Sequence, residues 1–146
     1  ELGAAAFQPL LSERVEVRLG ADKLGKRMEH WRGVVVAACE QSGRARVPEL
    51  FEPLSCAAWL ERATGAQRLV LDPQSAEPLA RAVTDPGPGV AVEIASGPEG
   101  GFSDMELAQM RARGVRAVSL GPRILRTETA APAALAVLQC LVGDLR

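Results

Sequence analysis

The chain has 146 residues, enough for one domain with a substantial core, and its composition is globular, 47% hydrophobic and 24% charged. No apolar run approaches the ~20 residues of a membrane span, and no basic stretch followed by an apolar one marks a signal peptide. A net charge of −1, 3% aromatic residues and no tyrosine argue against a free-standing nucleic-acid binder built around a base-stacking platform.

In chain order, "ELG" at residues 1–3 reads as a helix end with Gly3 in the C′ position, an odd start for a domain, so a preceding segment is expected. Residues 6–12 read as a strand, and "RVEVRL" (14–19) extends it or forms a second, exposed one. From residue 23 to 41, Trp31, Val34, Val35, Ala38 and Cys39 recur at helical spacing and predict an amphipathic helix. "RVPELF" (46–51) is a short strand that Pro48 confines to an edge or an end. A short helix over 55–63, a buried-type strand over 67–72 and a helix over 76–83 follow, then the turn "TDPGPG" (84–89). The last third predicts a strand at 90–96, a helix at 103–113, a strand at 115–120 and a long apolar helix. Pro132 is tolerable only in a first turn, which puts the start of that helix near Thr129. Strands alternating with helices predict an α/β domain with a mostly parallel sheet.

The three cysteines, Cys39, Cys56 and Cys140, are odd in number and far apart, with no C-x-x-C pair. This predicts neither a zinc site nor a disulfide framework, and a reducing, cytoplasmic setting. His30 stands alone beside Trp31 and is read as a surface residue, so no metal is expected.

Two loops carry the chemistry. "GPEGGFSDME" (97–106) follows a strand and precedes a helix, the place where open α/β sheets bind ligands. Its glycines permit positive φ and close backbone approach. Ser103 with Glu106 three residues on forms a capping box for the helix. The loop is neither a P-loop, since no lysine follows Gly101, nor a dinucleotide fingerprint, since the glycine spacing is wrong. "LGPRILRTETA" (120–130) also follows a strand and also contains Gly-Pro, at Gly121 and Pro122. Ile124 and Leu125 are apolar residues in a loop, either buried plugs or the wall of an adenine slot, and Arg123 and Arg126 flank them. Between Leu107 and Thr127 there are five arginines and no acid.

Together "EQSGRARVPEL" (40–50), "GPEGGFSDME" and "LGPRILRTETA", with "HW" at 30–31 and "LVLDP" at 69–73, resemble the ribosomal RNA small-subunit methyltransferase E family of the SPOUT, or α/β-knot, superfamily. The resemblance runs the length of the chain, and the order of the motifs is more specific than any one of them. It implies an S-adenosylmethionine-dependent enzyme that methylates N3 of a uridine in small-subunit ribosomal RNA, acting as a homodimer without a metal. It implies a sheet with helices on both faces and a deep trefoil knot at the C-terminus, spanning residues 1–146. It also implies that the start of this domain and an N-terminal PUA-like β-barrel are absent from the chain. Cofactor-binding positions carried over are Leu71, Gly97, Pro98, Glu99, Gly100, Gly101, Leu120, Gly121, Ile124, Leu125 and Arg126.

For catalysis, the N3 proton must leave or the imide anion be stabilised as it forms. Arg126, beside the apolar slot, is the first candidate donor to the uracil carbonyls and Arg44 of "EQSGR" the second. Glu128 or Glu99 would serve as base or orient an arginine, and Glu99 would equally hold loop amides. Other readings stay open: an α/β-knot enzyme acting on ribose or another base, a non-catalytic nucleotide or anion module using the helix start at Ser103, and a structural RNA-binding domain.

Overall fold

A computed structural model of the chain describes residues 1–15, 21–83 and 91–145. Its elements in order are β1 (Ala6–Phe7), β2 (Leu10–Leu11), α1 (Ala21–Ser42), β3 (Glu49–Leu50), β4 (Leu54–Ser55), α2 (Cys56–Glu61), β5 (Gln67–Leu71), α3 (Leu79–Ala82), β6 (Val92–Ala95), α4 (Asp104–Ala112), β7 (Arg116–Val118) and α5 (Thr127–Val142). Every strand pairing among the described residues is parallel: β1 with β3, β2 with β4, and a three-stranded sheet in the order β6-β5-β7.

The alternation along β5 organises the core. Successive side chains of a strand point to opposite faces, so Leu69 and Leu71 face one way and Val70 the other. The register sets Ile94 and Ala95 opposite Leu69 and Val70, and Ala117 and Val118 opposite Val70 and Leu71. Leu69 and Val118 thereby meet Leu79 and Ala82 of α3 and Ala134 and Leu138 of α5. Val70 and Ala95 meet Trp59 and Leu60 of α2 and Met110 of α4, with Phe102 and Val115. Helices thus cover both faces of the sheet, which fits the apolar run Leu69 to Leu71 at the end of β5. Leu69, Val70, Leu79, Met110 and Val118 are fully buried, each worth roughly 1.5–3 kcal/mol of transfer free energy. On the α2 face, Arg68 pairs across the strands with Glu93 at 2.9 Å and lies 4.7 Å from the Trp59 ring centroid.

Several expected boundaries move, each for a local reason. The single strand expected over 6–12 is two, β1 and β2, broken at Pro9, which has no N–H for a ladder. The Pro9 carbonyl still accepts from Leu54 N at 3.0 Å. The helix expected over 76–83 shrinks to α3, because Pro78 sits at its N-cap in an extended conformation. Conversely α5 begins at Thr127, not near Thr129, with Arg126 as N-cap. Pro132 therefore lies beyond the first turn, and the Glu128 carbonyl loses its usual helical donor.

The amphipathic helix α1 forms, but its expected apolar stripe is only partly covered, with Trp31, Val35 and Ala38 half-buried. Of that stripe only Cys39 is buried, and Val34 is 54% exposed. "RVEVRL" lies mostly, and "TDPGPG" wholly, outside the described residues, and the strand expected from residue 90 is seen from Val92. His30 is exposed. Cys39, Cys56 and Cys140 are free thiols. No described helix is long and apolar enough to cross a membrane.

Candidate functional site

Because β5, β6 and β7 run parallel, their carboxyl ends come together, and the segments leaving them enclose one cleft of about 680 Å³. Leu71 to Gln74 leave β5, Ser96 to Phe102 leave β6, and Ile124 to Glu128 connect β7 to α5. This is the position at which open α/β sheets bind ligands, and the volume falls within the ~300–1,000 Å³ of small-molecule sites.

The first wall is the loop 97–102. It closes through a Gly101 N–H donating to the Pro98 carbonyl at 2.8 Å, with Gly101 at φ +66°. A side chain at Gly97 has little space: a Cβ there would lie 3.1 Å from both Gly101 C and Phe102 N. The loop runs into α4 through the capping box that the sequence predicts. Ser103 Oγ accepts from Glu106 N at 3.1 Å, and Glu106 Oε2 accepts from Ser103 N at 2.8 Å.

Glu106 does more than cap. It is 5% exposed, and its Oε1 accepts from the backbone N–H of Glu13 at 2.9 Å, tying the corner after β2 to the start of α4. The Cys56 thiol hydrogen-bonds to the same carboxylate. Burial, followed by that bond and the nearby negative charge, pushes the Cys56 pKa from 9.0 up to about 12. The folded chain holds this proton where the unfolded chain releases it. The contribution is complete below pH 9 and is lost as pH rises toward 12. Urea unfolding is expected to show stability falling more steeply between pH 9 and 11 in the native sequence than in Cys56→Ser. Equal slopes would contradict the burial of this proton.

The second wall is Ile124 to Glu128, in the loop that starts at Gly121. Gly121 turns it at φ +91°. Ile124 is 84% exposed and Leu125 partly buried, so the apolar pair is a wall open to solvent, not a plug in the core. Arg126 Nη1 lies 3.9 Å from Glu128 Oε1, with both side chains exposed; such a pair contributes ~0–1 kcal/mol, which leaves the guanidinium free to exchange partners. The floor is Asp72, 7% exposed, which accepts from Arg111 at 3.0 Å and from Gln74 N at 2.9 Å.

Of the residues selected from the sequence, Leu71, Gly97, Pro98, Glu99, Gly100, Gly101, Ile124, Leu125, Arg126 and Glu128 line this one cleft. Leu120 packs instead against the cluster shared by α3 and α5, and neither it nor Gly121 forms part of the wall. Arg44 is not on the wall either; its Nη1 donates to the Ala4 carbonyl at 3.0 Å. Asp72, Phe102 and Arg14 line the cleft without having been selected. Asp72 could have been found, as an acid directly after a buried strand; Arg14 carries no local signal. Among the described residues no group of three His, Cys, Asp or Glu could hold a metal ion.

Residues 1–139 match the family profile described as RNA methyltransferase domain. Among curated proteins the chain is 37% identical over 145 residues to a ribosomal RNA small subunit methyltransferase E of Synechocystis sp., covering 97% of this chain and 46% of that one. It is 33% identical to the protein of the same name in Bacillus subtilis, covering 100% and 59%. Among solved structures, a ribosomal RNA small subunit methyltransferase E from Neisseria gonorrhoeae bound to S-adenosyl methionine superposes with a TM-score of 0.90 at 38% identity, over 99% of this chain and 58% of that one. The chain thus spans about half the length of the relatives it matches.

Proposed function

This chain belongs to the RNA methyltransferase domain family, and from that premise we propose that it is the cofactor-binding and catalytic part of an S-adenosylmethionine-dependent enzyme that methylates N3 of a uridine in small-subunit ribosomal RNA. The observation that carries the reading is the meeting of two Gly-Pro loops around one cleft, with Ile124 left 84% exposed on its wall. A large aliphatic side chain in water at a ligand-sized cleft suits an aromatic ligand face.

The residues present fit the cofactor. Leu71, Ile124 and Leu125 offer apolar surface for an adenine, and the backbone of Gly97 to Gly101, on the same cleft, would hydrogen-bond its polar edges. When bound, S-adenosylmethionine supplies a methyl group made electrophilic by its sulfonium. What the chain supplies is position and charge. Arg126, at the N-cap of α5, donates to the uracil carbonyl oxygens as negative charge develops on the imide; one preorganised donor of this kind is worth ~3 kcal/mol. Glu128, in the first turn of α5, orients Arg126 or takes the N3 proton. Arg126 is assigned this donation in preference to Arg44, which is held at the Ala4 carbonyl away from the cleft wall. Holding donor and acceptor in line carries much of the rate.

The same proposal includes the C-terminal trefoil knot, a homodimer that buries exposed apolar residues such as Val34 of α1 and Leu141 of α5, ribosomal RNA as partner, a cytoplasmic setting, and an N-terminal RNA-binding barrel in the whole protein. Because the chain spans about half of its relatives, binding is the decisive readout. Calorimetric titration of the purified chain is expected to give heat with S-adenosylmethionine and none with ATP. ATP binding alone would favour an anion module, and silence with both a structural RNA-binding domain.

A further inference from the structure

Arg14 stands at the mouth of the cleft on a segment far in sequence from both loops. Its placement is determined at two points. The neighbouring Glu13 N–H is held by the buried Glu106 carboxylate at 2.9 Å. Its own Nη1 donates to the Gly100 carbonyl at 2.7 Å, and its aliphatic stem lies alongside Gly100, where an added Cβ would make ordinary contact at 3.5 Å with Arg14 Cβ and Cδ. The side chain is thus fastened to the loop while remaining exposed.

The charges on the wall distinguish Arg14 from its neighbours. Asp72 is paired with Arg111, and Arg126 faces Glu128. Among the described residues no carboxylate pairs with Arg14, although it lines the same cleft. A guanidinium carries five N–H donors in a planar fork suited to carboxylate and phosphate, and the Gly100 carbonyl occupies one nitrogen. We infer that Arg14 is a ligand-binding residue of this cleft, which holds an oxyanion of the bound species: the carboxylate of the amino-acid half of the cofactor, or a phosphate of the RNA. This rests on the reading given under Proposed function. The carbonyl of Gly100 aims the fork, and the Glu106 tether keeps the corner from drifting.

The test is Arg14→Ala in the chain as it stands, with circular dichroism to show that it folds. Three probes are titrated: S-adenosylmethionine, 5′-methylthioadenosine (which lacks the amino-acid half) and a small-subunit ribosomal RNA transcript. If the carboxylate is the oxyanion, affinity for S-adenosylmethionine drops about tenfold or more, the scale of a charged hydrogen bond, and that for 5′-methylthioadenosine stays the same. If a phosphate is the oxyanion, only RNA affinity falls, with a shallower salt dependence. Unchanged binding of all three, or a parallel loss for S-adenosylmethionine and 5′-methylthioadenosine, would overturn the inference; the parallel loss would mean that Arg14 merely shapes the loop. Failure of the unsubstituted chain to bind S-adenosylmethionine would instead sink the proposed function, and this inference with it.

Discussion

Replacing Gly97 with valine is expected to lower the affinity for S-adenosylmethionine at least about a hundredfold while the chain still folds. Any side chain at this position starts with a Cβ 3.1 Å from Gly101 C and Phe102 N and 3.2 Å from Gly101 Cα. Those neighbours are backbone, so no rotamer change relieves the contact. They are also held in place: Gly101 N by the Pro98 carbonyl, Gly100 O by Arg14, and Ser103 N by Glu106. The strain must move the loop that forms the first wall, and in a preformed site a shift of ~1 Å can cost a hundredfold. The branched γ carbons of valine add to what alanine would demand, so Gly97→Ala should fall between the two. Isothermal titration with S-adenosylmethionine measures the loss, and thermal unfolding shows that the sheet survives. Binding by Gly97→Val within threefold of the original would mean that the ligand does not sit against this loop.

The largest loss of stability is expected from Glu106→Ala. The side chain is 5% exposed, and its two oxygens accept from Ser103 N and Glu13 N, with the Cys56 thiol a further donor. Truncation leaves two backbone N–H groups without their acceptor at ~1–3 kcal/mol each, removes the reciprocal half of the capping box, and opens a void beside α2 and α4. A total of about 3–5 kcal/mol is expected, a large part of the ~5–15 kcal/mol that domains of this size possess. Glu106→Gln keeps the shape and one acceptor and should cost roughly half as much. Urea midpoints at neutral pH measure both. A loss below 1 kcal/mol for the alanine variant would show that water or another group satisfies those amides. The carboxylate also links the two halves of the site, because the corner it tethers carries Arg14 and the helix it caps follows the loop containing Gly97.

Much of the architecture could be read from neighbouring residues. The β5 run "QRLVL", the capping box at Ser103 and Glu106, and the two Gly-Pro loops are features of a few consecutive positions. Their physics is local: alternation of faces, an N-cap hydroxyl, a backbone that must turn. That is why the two loops could be marked as carrying the chemistry, the individual cofactor positions being carried over from the family resemblance; parallel strands then bring Gly97 to Gly101 and Ile124 to Arg126 together at one cleft. Where local signals competed, boundaries slipped. Proline marked breaks at Pro9 and Pro78, yet Pro132 was accommodated inside α5, where packing of Ala134 and Leu138 outweighs one missing hydrogen bond.

By itself, then, the order of residues pointed to most of the elements, the parallel α/β class and the two loops, since the strand, helix and turn signals behind them span a handful of positions. Only the tertiary structure decided that Arg14 meets Gly100 across 86 residues and Arg111 meets Asp72 across 39, that Arg44 turns to Ala4 instead of the cleft, and that this chain leaves Val34 exposed. The reason is physical: a charged side chain pairs with whichever partner the folded backbone brings within 3 Å, and no periodicity encodes which distant carbonyl or carboxylate that will be.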